Sequence, residues 1–221
     1  MATLSVRTIA ANCLGKTPEL SVLQDVLGVY GTDNPQTRSL KERLNLIQNK
    51  PFVRIALVTI QGANPSLQRD LDNANLVYQN ECDVWVYCTN SLIENDTSLL
   101  TLDQDDCLSS GHSVSDEEDD LFDLGRSEGA EIVAYYINGS NGTTFRGCAA
   151  HPPGRRGFWV GSSATQWTFV HEMTHVVGDN GHNSSTDNLM ISNTGTITNP
   201  PPDLNSSQCK KINGDAAIES C

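Results

Sequence analysis

Basic residues are scarce: the 221-residue chain carries 14 lysines and arginines against 27 acids, a formal charge of −13. A surface this acidic repels nucleic-acid phosphates and anionic lipid headgroups, so neither is an expected partner. Long apolar runs are missing as well, and none approaches the ~18 residues that a membrane-spanning helix needs. The opening residues Met1-Ala2-Thr3-Leu4-Ser5 have neither the basic nor the apolar segment of a signal peptide. None of the seven cysteines falls in a CxxC pair, which removes the usual knuckle for structural zinc. Histidine is sparse, with five copies, yet three of them lie between positions 171 and 182.

What is present is enough for a core. Hydrophobic residues make up 38% of the chain, and the length suits one large domain or a domain with an arm. Scattered cysteines (13, 82, 88, 107, 148, 209 and 221) suggest disulfides and an oxidising compartment. Sequons at Asn95, Asn138, Asn141, Asn183 and Asn205 agree with secretion. The expected location is extracellular, with no signal peptide in this chain.

Residues 1 to about 50 read as a helical arm. Thr17-Pro18 starts one helix, with Leu20, Leu23, Val26 and Leu27 on one face, and Leu40, Leu44 and Ile47 mark a second. Pro51 then opens a strand, Val53 to Ile60, apolar enough to be central in a sheet. Ser66 is placed to cap a helix to about Asn80, with Leu67, Leu71, Ala74, Val77 and Tyr78 in one stripe. Val84 to Tyr87 is a second strand between Cys82 and Cys88. Those two cysteines are too far apart across a straight strand to pair, so they should staple the sheet to other segments.

From 90 to 130 the chain is acidic. Asp103, Asp105 and Asp106 form one cluster, and Asp116 to Asp120 another. The preferred reading is a capping box, Ser115 with Glu118, opening a helix that ends near Gly125. Structural Ca2+ is the lesser alternative, since oxygen ligands are present without a ligand spacing. Glu131 to Ile137 is a strong strand, and Phe158 to Val160 another. Ser163 with Gln166 is placed to cap a helix that is apolar nearly all round: Trp167, Phe169, Val170, Met173, Val176 and Val177. After Pro200-Pro201-Pro202 comes a short helix, about Ser206 to Ile212, tied down by Cys209 and Cys221. His112 and His151 read as surface residues.

The chemistry concentrates in His171 to Met190. Residues four apart on a helix lie about 40° apart around the axis and about 6 Å along it. His171 and His175 therefore point the same way and can share one small ion. Glu172 sits one residue off that stripe, able to reach a water without being a ligand. Gly178 suits a left-handed helix end, after which the chain can double back to bring in His182. Three imidazoles with one open position describe a catalytic metal centre.

The run His171-Glu172-x-x-His175-x-x-Gly178, a third histidine and a following Met190 resemble the metzincin zinc endopeptidases. The interval from His182 to Met190 is similar to that of their matrixin branch. The turn before the third histidine is one residue longer than the usual pattern, with Asp179, Asn180 and Gly181 intervening. Gly181 is expected to absorb the extra residue, and Asp179 stays open as a competing third ligand.

The resemblance implies an α+β fold over residues 51–221. Its parts would be a twisted, mostly parallel sheet with an antiparallel edge strand, a backing helix, a zinc-site helix and a C-terminal helix. The edge strand would precede the zinc helix and pair with extended substrate; Phe158 to Val160 is the candidate, with an ordinary buried strand as the alternative. It further implies Zn2+ held by His171, His175 and His182, Met190 as a Met-turn, and Glu172 as general base. Hydrolysis of internal bonds in a protein or peptide substrate by a monomer would follow. Two alternatives stay open: an inactive binding module of the same fold, and another zinc hydrolase using a later Glu, for which Glu219 is the only choice. Latency in the matrixin manner would use Cys13, or Asp33, from the arm, unless Cys13 is disulfide-bonded to the body.

Overall fold

The computed structural model describes residues 51–103, 113–124, 130–141 and 145–219. The arm with Cys13 and Asp33, and also Asp105, Asp106, His112 and Cys221, lie outside the described residues.

Chain order is β1 (Phe52–Ile60), α1 (Leu67–Cys82), β2 (Trp85–Glu94), β3 (Thr101–Leu102), α2 (Asp116–Asp123), β4 (Ile132–Ile137), β5 (Gly139–Ser140), β6 (Gly147–Cys148), β7 (Gly157–Gly161), α3 (Thr168–Val176), a 3-10 turn (Thr194–Thr196), α4 (Ser206–Asn213) and β8 (Ile218–Glu219). The main sheet runs β2-β1-β4-β7-β6, with β8 added to β1. β1, β2, β4 and β7 are mutually parallel, whereas β6 is an antiparallel edge. This is the α+β arrangement expected from the sequence, with β1 central.

Both faces of the sheet are covered, which is why β1 reads as an almost unbroken apolar run. Val53, Ile55 and Leu57 face α1, α3 and α4, in a core with Tyr78, Phe169, Met173 and Met190. Ala56, Val58 and Ile60 face α2, packing with Leu121, Phe122 and Trp159. The one charge in the strand, Arg54, is satisfied by Glu219 at 2.6 Å and Glu131 at 3.1 Å.

The acidic helix α2 forms the expected capping box between Ser115 and Glu118. Burial of Glu118 is offset by two donors, its own cap N–H and the Trp159 indole at 2.9 Å. Asn205 and Gln208 make a second capping box on α4. Cys82 and Cys209 form a disulfide that joins the end of α1 to α4, so Cys82 does staple the sheet layer to a distant segment.

Three expectations need correction. Phe158–Val160 is not the edge: β7 is buried between β4 and β6, and the edge is Gly147–Cys148. Two residues, one of them glycine, gave too short a run to announce a strand. Ser66 makes no side-chain cap bond to α1. Nor does Ser163 cap α3, whose N-cap is Trp167 without a side-chain bond. There Thr165 and Thr168 bond each other instead, Thr168 Oγ1 accepting from Thr165 N at 3.0 Å.

Candidate metal centre

The helix α3 stops because Gly178 takes φ +83°, a conformation that costs glycine nothing. A side chain there would also collide with α4, since a β-carbon on Gly178 would lie 2.7 Å from Ile212 N. The next residue, Asp179, is left-handed too, at φ +45°. Gly181 is not among the positive-φ residues, so the extra residue of the turn is absorbed by Asp179, against expectation. Asn180 then turns inward. Its amide donates to the carbonyls of Thr174 (3.4 Å) and Val177 (3.3 Å), closing the frayed end of the helix. From here the chain returns to place His182 beside His175.

Two backbone carbonyls orient the helical imidazoles. His171 Nδ1 donates to Leu189 O at 2.8 Å and His175 Nδ1 to Asn180 O at 2.5 Å. A carbonyl can only accept, so the proton of each neutral ring is on Nδ1 and each Nε2 presents a lone pair. Those lone pairs converge. His175 Nε2 is 3.1 Å from His171 Nε2 and 3.2 Å from His182 Nε2.

The His171 and His175 lone pairs, 3.1 Å apart, repel unless a cation sits between them, and His182 Nε2 is placed to join the same ion. A proton is a poor answer, because burial lowers His171 to about 3 and His175 to about 4. A tetrahedral ion with bonds of about 2.0–2.1 Å to nitrogen sets neighbouring ligands roughly 3.3 Å apart, close to the separations found. The donor set thus fits a divalent ion that favours imidazole. Among the described residues these three histidines form the one group of three or more such donors. Asp179, exposed and with its carbonyl held by Lys211 Nζ at 2.9 Å, is not in it.

Glu172 lies on the same helix, 8% exposed, and burial raises its carboxyl to about 8. It makes no hydrogen bond to the described residues. Its neighbour is Gly147 of the edge strand β6, where a β-carbon would come within 2.7 Å of Glu172 Cγ.

Met190 is fully buried in the core beneath α3. Its backbone is a bracket for the site: Met190 O accepts from Asn183 N at 2.7 Å, beside His182, and the preceding carbonyl holds His171. Met190 N donates to Asn188 Oδ1 at 3.0 Å. Asn188 in turn pairs its amide with Gln208 of α4, at 2.9 and 3.0 Å. Gly147, Asn180, Asn188 and Gln208 were not evident from the sequence. Asn188-Leu189-Met190 gave the only local hint, while the partners of the rest lie far along the chain. Of the two other histidines, His151 is half-buried rather than at the surface.

A chain in a chaperone–substrate complex superposes with a TM-score of 0.53 at 14% identity, covering 76% of this chain and 34% of that one. Metalloproteinase-II from Bacteroides fragilis gives 0.52 at 12% identity, over 74% of this chain and 52% of that one. The fold is thus similar to that of this metalloproteinase. Archaemetzincin from Methanopyrus kandleri gives 0.48 at 16%, over 74% and 94%. This chain spans about a third and about half the length of the first two. No family profile and no curated protein matches the sequence at a significant level. At such identities the likeness concerns the fold alone.

Proposed function

We propose that the chain is a zinc-dependent endopeptidase of the metzincin kind, with His171, His175 and His182 as metal ligands and Glu172 as general base. The observation that carries this reading is the convergence of three Nε2 atoms beside a buried, otherwise unbonded carboxyl. A zinc ion in that position would supply Lewis acidity toward a water and a peptide carbonyl. The protein's own part is then legible. The Nδ1 bonds to Leu189 O and Asn180 O hold the rings in the ligating tautomer. The Glu172 carboxyl makes no hydrogen bond to the described residues, which leaves its oxygens available to a water beside the ligands. Glu172 accepts the proton of the attacking water and returns it to the leaving amine.

An edge strand in contact with Glu172 suits internal bonds of an extended chain, paired along β6 rather than β7. Protein or peptide substrates follow, for a monomeric enzyme. Among the described residues no helix is long and apolar enough to cross a membrane. The disulfide and the cysteine content favour an extracellular setting. The matrixin-like interval from His182 to Met190 and a pro-segment role for residues 1–50 belong to the same proposal. The competing hydrolase with Glu219 as ligand finds no support, since that carboxylate is committed to Arg54.

The experiment compares Glu172→Gln with the wild type on internally quenched peptides, with cleavage sites mapped by mass spectrometry. Zinc should remain bound while turnover falls by about 10²–10⁴-fold, and wild-type cuts should lie inside the peptides. Near-normal turnover by the variant would refute the base. Cuts confined to peptide ends would refute the endopeptidase.

A further inference from the structure

Five arginines fall among the described residues, and four are in ion pairs. Arg54 meets Glu131 and Glu219, Arg69 meets Asp70, Arg155 meets Asp119 and Asp123, and Arg156 meets Asp215. The fifth, Arg146, has no carboxylate partner among the described residues, in a chain where 27 acids face 14 bases. It is exposed, and it directly precedes the edge strand.

Its surroundings tie it to the metal centre. Arg146 O accepts from Gly161 N at 2.9 Å, fixing its backbone to the end of β7. The next residue, Gly147, packs on both Glu172 and Thr168. Thr168 Oγ1 lies 3.2 Å from Thr194 Oγ1, and Thr194 precedes Gly195. Above Gly195 hangs the Arg146 guanidinium, with Nη1 3.1 Å from where a β-carbon would be. Edge strand, α3 and the segment after Met190 thus meet in a closed ring of contacts that includes both Glu172 and Arg146.

The one acid of that ring, Glu172, forms no ion pair with the guanidinium. The three threonine hydroxyls of 165, 168 and 194 bond one another. Asn193 Oδ1 is taken by Gly195 N at 3.0 Å. Arg146 is exposed, and its guanidinium offers five N–H donors in a fork that matches a carboxylate. The acidic surface turns anionic peptides away at long range, and of the described cations outside an ion pair, Lys210 and Lys211 lie on α4 whereas Arg146 adjoins the strand that walls Glu172.

We propose that Arg146 is a specificity-determining residue that binds a carboxylate of the peptide substrate beside Glu172. The proposal rests on the peptidase reading above. The carboxylate has two sources, an Asp or Glu side chain or the end of the peptide.

The test uses internally quenched, C-terminally amidated peptides in which one Glu is moved through the positions around the cleaved bond, each matched by a Gln peptide. A further pair differs only in a free or amidated C-terminus. In the wild type, kcat/KM should favour Glu over Gln about tenfold at one position, the usual order for a charge-assisted pair. Arg146→Gln should bring that ratio near one, Arg146→Glu should invert it, and Arg146→Lys should keep part of it. Arg155→Gln, in an ion pair elsewhere, should leave the ratio as it was. If the preference appears only in the free-acid pair, the chain end is the source. Fluorescence anisotropy of the same peptides on Glu172→Gln protein gives the ratio of Kd values without turnover. Selective binding without hydrolysis by the wild type would defeat the peptidase reading and leave the carboxylate site standing. Equal Glu and Gln values at every position and in the free-acid pair, or a preference that survives Arg146→Gln, would overturn the proposal.

Discussion

Gly147 and Glu172 touch so closely that no side chain fits between them: a β-carbon on the glycine would lie 2.7 Å from Glu172 Cγ and 3.0 Å from its Oε1. The edge strand is therefore also a wall for the proposed base. Gly147→Ala should push the carboxyl from its place, and misplacement by about 1 Å costs on the order of 10²-fold in rate. The expected result is that fall in kcat/KM with zinc stoichiometry intact. Unchanged turnover would mean the carboxyl does not need its position.

The third ligand is tested by pairing His182→Ala with Asp179→Ala. Only the histidine has a nitrogen in the cluster, 3.2 Å from His175 Nε2. His182→Ala should weaken zinc affinity by about 10²-fold or more, and Asp179→Ala by far less. Competition with a fluorescent chelator reads both, and the reverse ranking would reassign the ligand.

Gly178 is held by conformation and by space at once. Its φ of +83° and the 2.7 Å approach to Ile212 N leave no room for a β-carbon against backbone. Gly178→Ala should cost about 2–4 kcal/mol, adding left-handed strain to forced displacement of α4. A denaturant midpoint unchanged from the wild type would contradict this.

Metal-free protein should show the buried carboxyl in its pH dependence. Burial raises Glu172 to about 8 from its ordinary 4.5, so between those values the folded state holds a proton that the unfolded state has released. Stability then falls as pH rises through that window. His171 and His175, lowered by burial to about 3 and about 4, act oppositely and add stability as pH rises toward 6.5. The carboxyl is isolated by the difference between wild type and Glu172→Gln. After chelation, Tm of the wild type should drop relative to the variant from pH 5 to pH 8. Parallel curves would contradict the burial.

Much of this was legible because it is local. The apolar run of β1, the capping box of Ser115 and Glu118 and the i,i+4 pair of His171 and His175 each arise from residues within a few positions. The bracket of the site was not, because its partners are remote: Gly147 lies 25 positions before Glu172, and Gln208 lies 20 after Asn188. The long turn was half legible. Its extra residue could be counted, but whether Asp179 or Gly181 would take the left-handed conformation depended on Asn180 folding back onto the end of α3. The edge strand was assigned to Phe158–Val160 because a buried strand and an edge beside a cleft can share one apolar pattern, and only pairing to β6 distinguishes them.

The central claim is that the three imidazoles hold a single zinc that hydrolysis requires. The most direct measurement is the rate of peptide cleavage as zinc is returned stepwise to chelator-stripped protein. The rate should rise in proportion to added metal and level off at about one equivalent, the stoichiometry of a single three-histidine site. Cleavage that persists in the stripped protein, or that fails to appear after one equivalent is bound, would contradict the account.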